Sequence, residues 1–260
     1  MLNKNKRGQI TIFIIVGIVV VAVAVLIYLF YPEIKAGLGF ETKNPSEFIQ
    51  DCLQEEIEKN IALVSLQGGS LNPEHYILYN GEKVEYLCYT REYYKLCVMQ
   101  QPLLKRHIEN EIENVVEGKA EECFNELKQS YEKKNFDVEL KKGDSRLELL
   151  PKRIVMTFDH SLSLTKDSTE RFEEFEVILN NNLYELVSIA NSILNWEASY
   201  GDSETTTYMS YYPDLKVEKK KQTDGTTVYI LTDRNNENKF QFASRSVAWP
   251  PGYGINDILI

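Results

Sequence analysis

The hydrophobic pattern begins with an uncharged run from Gln9 to Tyr31. Residues 10–30 are almost purely apolar, and a helix of about 21 residues, at about 1.5 Å per residue, spans roughly the 30 Å hydrocarbon core of a bilayer. The apolar region of a cleavable secretory signal is shorter, about 7 to 15 residues, and ends at a small-residue site. The pattern therefore predicts a leader at residues 1–8 and a transmembrane helix at residues 9–31 that remains on the protein.

The charges around this run predict its orientation. Lys4, Lys6 and Arg7 precede the run, and cationic loops beside a membrane span tend to stay in the cytoplasm. We therefore expect a single-pass protein of the cell membrane, with a cytoplasmic N-terminus and an extracytoplasmic C-terminal domain. The lipid bilayer is its first expected partner.

The overall charge excludes one class of partner. The chain has 29 basic and 39 acidic residues and a net charge of −10. Because three of the basic residues belong to the leader, the part expected outside the cell is more acidic still. An acidic surface argues against nucleic-acid binding and against an electrostatic hold on anionic lipid headgroups.

An amphipathic helix is predicted after a spacer, or neck, at residues 32–43. Asn44-Pro45 has the pattern of an N-cap followed by a proline at the first helical position. Gln67-Gly68-Gly69 supplies a glycine for a left-handed C-cap. We expect the helix to run from Pro45 to Leu66. The apolar positions that mark its buried face are Ile49, Cys52, Leu53, Ile57, Ile61 and Val64.

A small antiparallel meander and a long helix come next. Asn80-Gly81 separates Tyr76–Tyr79 from Val84–Tyr89, and Asn-Gly between β-prone runs is a strong hairpin signal. A third strand, Lys95 to Met99, is expected to return along the second. After Pro102 a helical stripe extends to about Lys134, and we expect its apolar face to pack on the first helix.

The pattern then changes from helical spacing to alternation. Strands are predicted around Leu147–Leu149, Ile154–Phe158 and Phe172–Val177, because apolar and polar residues alternate there. A second amphipathic stretch, Asn180 to Ser199, interrupts this series and is closed by Gly201. It is expected to form a helix that packs on the strands.

The C-terminal part is predicted to be largely β-sheet. A strand is expected from Thr205 to Tyr211, followed by a hairpin of Leu215–Lys221 and Thr226–Thr232 around Asp224-Gly225. Another turn then leads into an alternating strand from Phe240 to Ser246.

Together the patterns predict an α+β fold class: an N-terminal transmembrane helix followed by a mixed helix and antiparallel-sheet ectodomain. Within the ectodomain, residues 44–134 are expected to form a helix-hairpin-helix subdomain that contains the cysteine pairs. Residues 135–260 are expected to form an antiparallel α+β subdomain.

The four cysteines all follow the apolar run, where an oxidising environment favours disulfides. Four cysteines allow three pairings, and spacing alone does not choose among them. In a hairpin turning at residues 91–94, however, Cys88 and Cys97 lie opposite each other, which leaves Cys52 and Cys123 to join the two helices. Two alternatives are free thiols in the core and a zinc site, but no C-x-x-C pair supports zinc.

The start of the chain resembles a known kind of leader. Lys6-Arg7-Gly8-Gln9, followed at once by Ile10–Ile14, is similar to the class III signal peptide of archaeal type IV pilins and pilin-like surface proteins. The resemblance implies cleavage between Gly8 and Gln9, with the apolar helix kept as an anchor or as a packing core between copies of the chain. Many pilins have an acidic residue where this chain has Phe13, which favours anchoring over polymerisation.

Sequence motifs for catalysis are lacking. His75, His107 and His160 are isolated from one another, and no nucleophile-elbow, phosphate-loop or dinucleotide motif occurs. Asp159 adjoins His160, but neighbouring strand residues point to opposite faces. The oxygen-rich stretch at residues 233–237 lacks the spacing of a calcium loop and is expected to be a polar turn. No catalytic, cofactor-binding or metal-binding residue is therefore predicted.

Two functions lead after these exclusions, and an enzyme with an unrecognised site is the third alternative. The first is a non-enzymatic, membrane-anchored protein of the cell surface or envelope, in which a pilin-like subunit would also contact copies of itself. The second is a membrane-tethered binding module that recognises an extracellular protein or other ligand through tyrosine-rich strands. The tyrosines concerned, which half-buried strand positions would also explain, are Tyr86, Tyr89, Tyr93, Tyr94, Tyr208, Tyr211 and Tyr212.

Overall fold

A computed structural model of the chain describes residues 44–250 and, before them, Val21 alone. The predictions for the leader, for the cleavage site at Gly8 and Gln9, for the rest of the apolar run and for the neck lie outside these residues. No helix among the described residues is long and apolar enough to cross a membrane. The expected fold class is corrected accordingly: the described fold is mixed α+β without a transmembrane helix, and its long helices are amphipathic.

Three long helices and one short helix form the α part of residues 44–250. They are α1 (Pro45–Leu66), α2 (Leu104–Glu132), α3 (Leu183–Tyr200) and α4 (Thr206–Tyr211). The predicted limits of α1 are confirmed, because the apolar stripe and the glycine stop at Gly68 act locally. The apolar faces of α1 and α2 pack on each other as expected, and both contribute to one hydrophobic core.

The largest sheet combines strands from an early and a late part of the described residues. Its strands are β1 (Tyr76–Tyr79), β2 (Glu82–Tyr89), β3 (Val98–Met99), β10 (Leu215–Lys221), β11 (Thr227–Asp233) and β12 (Lys239–Arg245). The strand order is β1-β2-β12-β11-β10, with β3 on the other part of β2. Both predicted hairpins are confirmed, but β12 pairs with β2 in parallel. Strands from the two sides of residue 134 therefore share one sheet and one compact unit.

The remaining six strands form two three-stranded sheets, which are the two halves of one antiparallel meander that is bent in the middle. The six strands are β4 (Asp137–Lys141), β5 (Ser145–Leu150), β6 (Arg153–Phe158), β7 (Ser161–Thr165), β8 (Thr169–Phe172) and β9 (Phe175–Leu179). One half has the order β4-β7-β8 and the other half β5-β6-β9. Only residues 142–144, 159–160 and 173–174 separate the paired halves. The strand β7 is not among the predicted elements, although Leu162 and Leu164 alternate with polar residues.

Side chains of α1 and α2 form hydrogen bonds with the two outer strands of the β5-β6-β9 sheet. Gln50 of α1 accepts a hydrogen bond from the Ile178 amide at 2.9 Å and donates one to the Ile178 carbonyl at 3.3 Å. On the opposite edge, Glu109 of α2 accepts from the Leu149 amide at 2.9 Å. Unpaired strand edges expose backbone donors and acceptors, so these contacts close the sheet and fix both helices on it.

Two disulfides cross-link the fold. Cys52 of α1 is bonded to Cys123 of α2, and Cys88 of β2 is bonded to Cys97, with Cα separations of 6.1 and 5.3 Å. This is the pairing that the hairpin geometry leads us to expect, but the predicted strand is too long. Cys88 lies opposite Met99, and Cys97 precedes β3.

The shortened strand has a tertiary cause. The Val247 amide donates to the Lys95 carbonyl at 2.7 Å, and the Tyr94 amide donates to the Ala248 carbonyl at 3.1 Å. These residues therefore pair with the segment after β12 instead of continuing the hairpin with β2.

The strand predicted from Thr205 to Tyr211 is wrong, because this segment is helix α4. Three consecutive threonines favour a strand by propensity. The Glu204 carboxylate, however, accepts hydrogen bonds from the Thr206 amide at 2.9 Å and the Thr206 hydroxyl at 2.7 Å, which satisfies donors at the helix start. The Tyr208 hydroxyl also contacts that of Ser192 on α3 at 2.8 Å. The contacts of Glu204 and Tyr208 favour the helix over the local preference.

The two disulfides are expected to differ in their effect on stability. Replacing Cys52 and Cys123 by alanine should lower the free energy of unfolding by about 4 kcal/mol, because the bond closes a separation of 71 residues. Replacing Cys88 and Cys97 should cost about 3 kcal/mol, because the separation is 9 residues. Urea unfolding of the two double variants measures both losses. A larger loss for the Cys88 and Cys97 pair would contradict the chain-entropy explanation.

Candidate functional site

A cleft of about 760 Å³ lies where the bend of the meander faces the middle of α2. This volume is in the range of small-molecule sites, which usually measure about 300 to 1,000 Å³. The helix contributes one wall, and the loop between β4 and β5 contributes the other. The lining residues are Glu113, Asn114, Glu117, Ala120, Glu121, Phe124, Asn125, Leu140, Lys142, Gly143, Asp144, Ser145, Phe158 and His160.

The floor of the cleft is aromatic and centres on His160. This residue lies between β6 and β7, at the bend, and is 5% exposed. Its ring stacks on Phe124 of α2, with centroids 4.4 Å apart, and meets Phe158 edge-on at 5.8 Å. Asp159 faces the other way and is exposed, as alternation along the strand predicts.

His160 lacks a hydrogen-bond partner at a buried ring nitrogen. Its Nδ1 atom is inaccessible to solvent and has no partner in the described part of the chain. Burial lowers the pKa of His160, and the nearby Lys142 ammonium lowers it further. The ring is therefore neutral at neutral pH, with one nitrogen that accepts a hydrogen bond and one that donates.

The rim of the cleft is acidic. Glu113, Glu117 and Glu121 follow one another at four-residue spacing on α2, so they lie along one face of the helix. Asp144 faces them from the loop between β4 and β5. The Lys142 ammonium of the same loop approaches the Glu117 carboxylate to 3.0 Å. This ion pair connects the two walls.

The carboxylates of α2 change their role along the helix. Glu109 and Glu113 both accept hydrogen bonds from amides of β5, at 2.9 Å from Leu149 and 3.3 Å from Leu147. A step of four residues on a helix rises about 6 Å, close to the length of two strand residues, so the spacings match. Beyond Glu113 the strand bends away, and the next carboxylates line the cleft instead.

The bend itself depends on a close backbone approach at Gly143. A Cβ atom on this residue would lie 1.8 Å from the Asp159 carbonyl oxygen. The Asp159 amide also donates to the Asp144 carbonyl at 2.8 Å. On the outer face, Arg146 pairs with Asp159 at 3.1 Å and with Glu174 at 3.8 Å, which links all three strands at the bend.

A second polar cluster contains a serine and a histidine but has a structural arrangement. The Ser70 hydroxyl lies between the Glu85 carboxylate, to which it donates, and Nε2 of His107 at 2.7 Å. Ser70 and Glu85 are both buried. Burial raises the pKa of Glu85, although the Ser70 hydrogen bond opposes this shift. In a catalytic triad the histidine stands between the serine and the acid, so this order differs from the one that activates a nucleophile.

A third polar cluster surrounds the buried carboxyl of Glu197 on α3. It accepts hydrogen bonds from the Tyr229 hydroxyl, from the Ser244 hydroxyl at 2.8 Å and from the Ser203 amide at 3.1 Å. Burial raises the pKa of Glu197, and the two hydroxyl donors oppose the shift. The cluster fixes α3 to β11 and β12.

His75 and the oxygen-rich turn at residues 233–237 have structural roles. His75 packs against Tyr86 and Tyr89, with ring centroids 4.7 and 4.1 Å apart. In the turn at residues 233–237, the Asp233 carboxylate accepts hydrogen bonds from the Asn235 amide and the Asn182 side chain. Among the described residues no group of three or more His, Cys, Asp or Glu side chains could hold a metal ion.

The tyrosine clusters do not form the expected strand surface. Tyr86 is buried and bonds to Thr226, whereas Tyr93 and Tyr94 are exposed in the loop before β3. Tyr211 is exposed but belongs to helix α4, so it is not part of a strand. The cleft itself was not predicted from the sequence. The four-residue spacing of Glu113, Glu117 and Glu121 is the local signal of one wall, and the other wall comes from a distant segment of the chain.

The fold and the cleft define a disulfide-linked α+β protein with an acidic, ligand-sized cleft and an aromatic floor. No protein-family model, curated protein or solved structure matches the chain.

The close approach at Gly143 leads to a stability prediction. Gly143→Ala should lower the free energy of unfolding by about 1 to 3 kcal/mol, because the added methyl group must displace the Asp159 backbone. The control is Gly118→Ala on α2, where a Cβ atom meets nothing within 4 Å. Removing a helical glycine there should stabilise the protein by up to about 1 kcal/mol. Equal effects of the two variants in urea unfolding would contradict the described bend.

Glu197 leads to a prediction about pH. A raised pKa in the folded state favours the protonated carboxyl, so its contribution to stability is present at low pH and is lost as the pH rises through the folded-state value. Glu197→Gln mimics the protonated form and does not titrate. The stability of the natural protein relative to this variant should fall as the pH rises above about 4.3, the pKa of a glutamate in the unfolded chain. A difference in unfolding free energy that stays constant as the pH rises above this value would disprove the prediction.

Proposed function

We propose that the chain is a non-enzymatic protein of the extracytoplasmic face of the cell membrane, and that its disulfide-linked fold holds a binding cleft. The observation that carries this proposal is the pair of disulfides. One connects α1 to α2, and the other connects β2 to the segment before β3. Disulfides of this structural kind persist in oxidising compartments and are rare in the cytosol.

The charge of the chain bears on its partners. Its net charge of −10 gives a well-solvated surface that is unsuited to binding nucleic acid. Attachment to the membrane is inferred from the sequence of residues 9–31, which, apart from Val21, lie outside the described residues.

The binding role is supported by the cleft at the bend of the meander. Its volume is that of a small-ligand site, and it combines an aromatic floor with polar groups that converge from a helix and a loop. This role corresponds to the binding-module hypothesis, with one change. The surface that we propose is the cleft beside α2, and the tyrosines at residues 86–94 are not required.

An assembly subunit is the second candidate function, because Lys6-Arg7-Gly8-Gln9 resembles the leader of pilin-like proteins. In that case the apolar run would pack between copies of the chain. N-terminal sequencing and size analysis of protein purified from cells test this candidate together. A mature start at Gln9 with multimers after mild extraction would support a subunit, and an intact Met1 without multimers would exclude it.

The proposed location predicts which cysteines react on intact cells. On intact cells a membrane-impermeant maleimide should label an added surface thiol, Glu126→Cys on α2, and should label none of the natural cysteines, because all four are disulfide-bonded. Asn5→Cys in the leader is the matched control, since a cytoplasmic thiol should react only after the cells are lysed. A Glu126→Cys thiol that stays unlabelled in intact cells, or an Asn5→Cys thiol that is labelled in intact cells, would refute the proposed location.

A further inference from the structure

We propose that an exposed aromatic patch, built by α3, by the segment that leads into β3 and by the chain after β12, is the surface at which two copies of this chain associate. Among the described residues the patch shares no side chain with the cleft beside α2, so this inference does not depend on the binding role of the cleft. The aromatic patch consists of Tyr94, Leu96, Val98, Trp196, Tyr200 and Trp249.

Two ring pairs form the two sides of the aromatic patch. The Trp249 ring meets the Tyr94 ring edge-on, with centroids 5.1 Å apart. On α3, the Trp196 and Tyr200 rings are one turn apart and their centroids are separated by 4.7 Å. Each pair holds its rings in a fixed arrangement at the surface.

Leu96 connects the two ring pairs. Gly201 follows Tyr200, and a Cβ atom on Gly201 would lie 3.3 Å from the Cδ2 atom of Leu96, so this leucine lies against the end of α3. Leu96 and Val98 are both exposed, whereas Cys97 between them is buried, so the two apolar side chains face the same way. The patch is therefore continuous over three segments that are distant in sequence.

The exposure of these side chains is unusual. The six are between 44% and 70% exposed. Tryptophan is highly buried on average, yet both tryptophans of the chain, Trp196 and Trp249, belong to the patch. Contiguous exposed apolar surface marks interaction sites, and tryptophan and tyrosine are the residues that dominate binding energy at protein interfaces.

The backbone beneath the patch is held in a rare conformation. Tyr94 has a φ of 57° and Val247 a φ of 47°, and a positive φ is a genuine outlier for a β-branched residue. Hydrogen bonds join the two segments that contain these residues, and the Cys88–Cys97 disulfide anchors the first segment. Strained residues of this kind cluster at functional sites. A surface that is fixed in advance also loses little freedom on association.

The size of the patch matches what a dimer needs. At the observed exposure, six side chains of these types present roughly 600 Å² of apolar surface. Pairing the patch with the same patch of a second copy buries on the order of 1,200 Å², which is the lower end of the range for stable interfaces. A twofold axis permits such a contact between identical surfaces, and flat rings from the two copies can pack on one another.

The charges also favour a second copy. The chain has a net charge of −10, so most pairs of surfaces on two copies would repel each other. The patch side chains are uncharged, and the one charged residue within residues 94–98 is the exposed Lys95. A cation beside an uncharged contact is the favourable sign when the approaching molecule is another acidic chain.

Sedimentation of the full chain in mild detergent tests the association. We expect dimers at micromolar concentration. Val98→Glu and Tyr200→Glu should each raise the dissociation constant at least about tenfold, because each places a carboxylate in the contact on both copies. Leu78→Glu is the matched control, since Leu78 is as exposed as Val98 but pairs with the other end of β2. Thermal unfolding of each variant verifies that it is folded.

Three results of this experiment would overturn the inference. A natural chain that stays monomeric at about 100 μM contradicts it, since interfaces of this size give dissociation constants that are micromolar or lower. If Val98→Glu and Tyr200→Glu associate as tightly as the natural chain, the copies meet through another surface, such as the apolar run at residues 9–31. If Leu78→Glu dissociates the dimer equally, added negative charge explains the effect.

Photo-crosslinking in intact cells identifies what covers the patch. A benzophenone side chain in place of Tyr200 should give a product with twice the mass of the chain, joined to the patch of the second copy. A product with the mass of one chain, joined to residues 251–260, would show that the following segment covers the patch instead. A product with a different protein would show another partner. Either of these products, or no product at all, would overturn the inference.

Discussion

The fold depends on pairing the edges of a short sheet with side chains from two helices. A three-stranded sheet leaves backbone donors and acceptors on both outer strands, and unpaired groups of this kind are costly when buried. Gln50 pairs with one edge, and Glu109 and Glu113 pair with the other. The disulfide between Cys52 and Cys123 then connects the two helices that carry these side chains. The helices and the sheet therefore hold one another in a single arrangement.

The cleft is a consequence of this arrangement. The row of glutamates on α2 follows β5 as far as Glu113, and the strand then bends where Gly143 meets the Asp159 backbone. Past that point the carboxylates of Glu117 and Glu121 no longer have strand amides to bind, and they line the cleft, where Glu117 pairs with Lys142. One helix face thus supplies structural contacts at one end and an acidic wall of the cleft at the other.

Buried ionisable groups in this protein are mostly satisfied by hydrogen bonds. Glu197 accepts from three donors, and Glu85 accepts from Ser70, so their burial supports packing between elements. His160 differs because its buried Nδ1 has no partner among the described residues and its ring lies in a cleft.

The sequence by itself determined the elements whose signals are local. The stripe and caps of α1, the Asn80-Gly81 hairpin and the Asp224-Gly225 hairpin follow from periodicity and turn chemistry, and the hairpin around Cys88 was enough to anticipate the disulfides. Only the tertiary structure decided the parallel pairing of β12 with β2, the helix at 206–211 and the cleft. These features depend on contacts between segments far apart in the chain, and local propensity carries no information about such contacts.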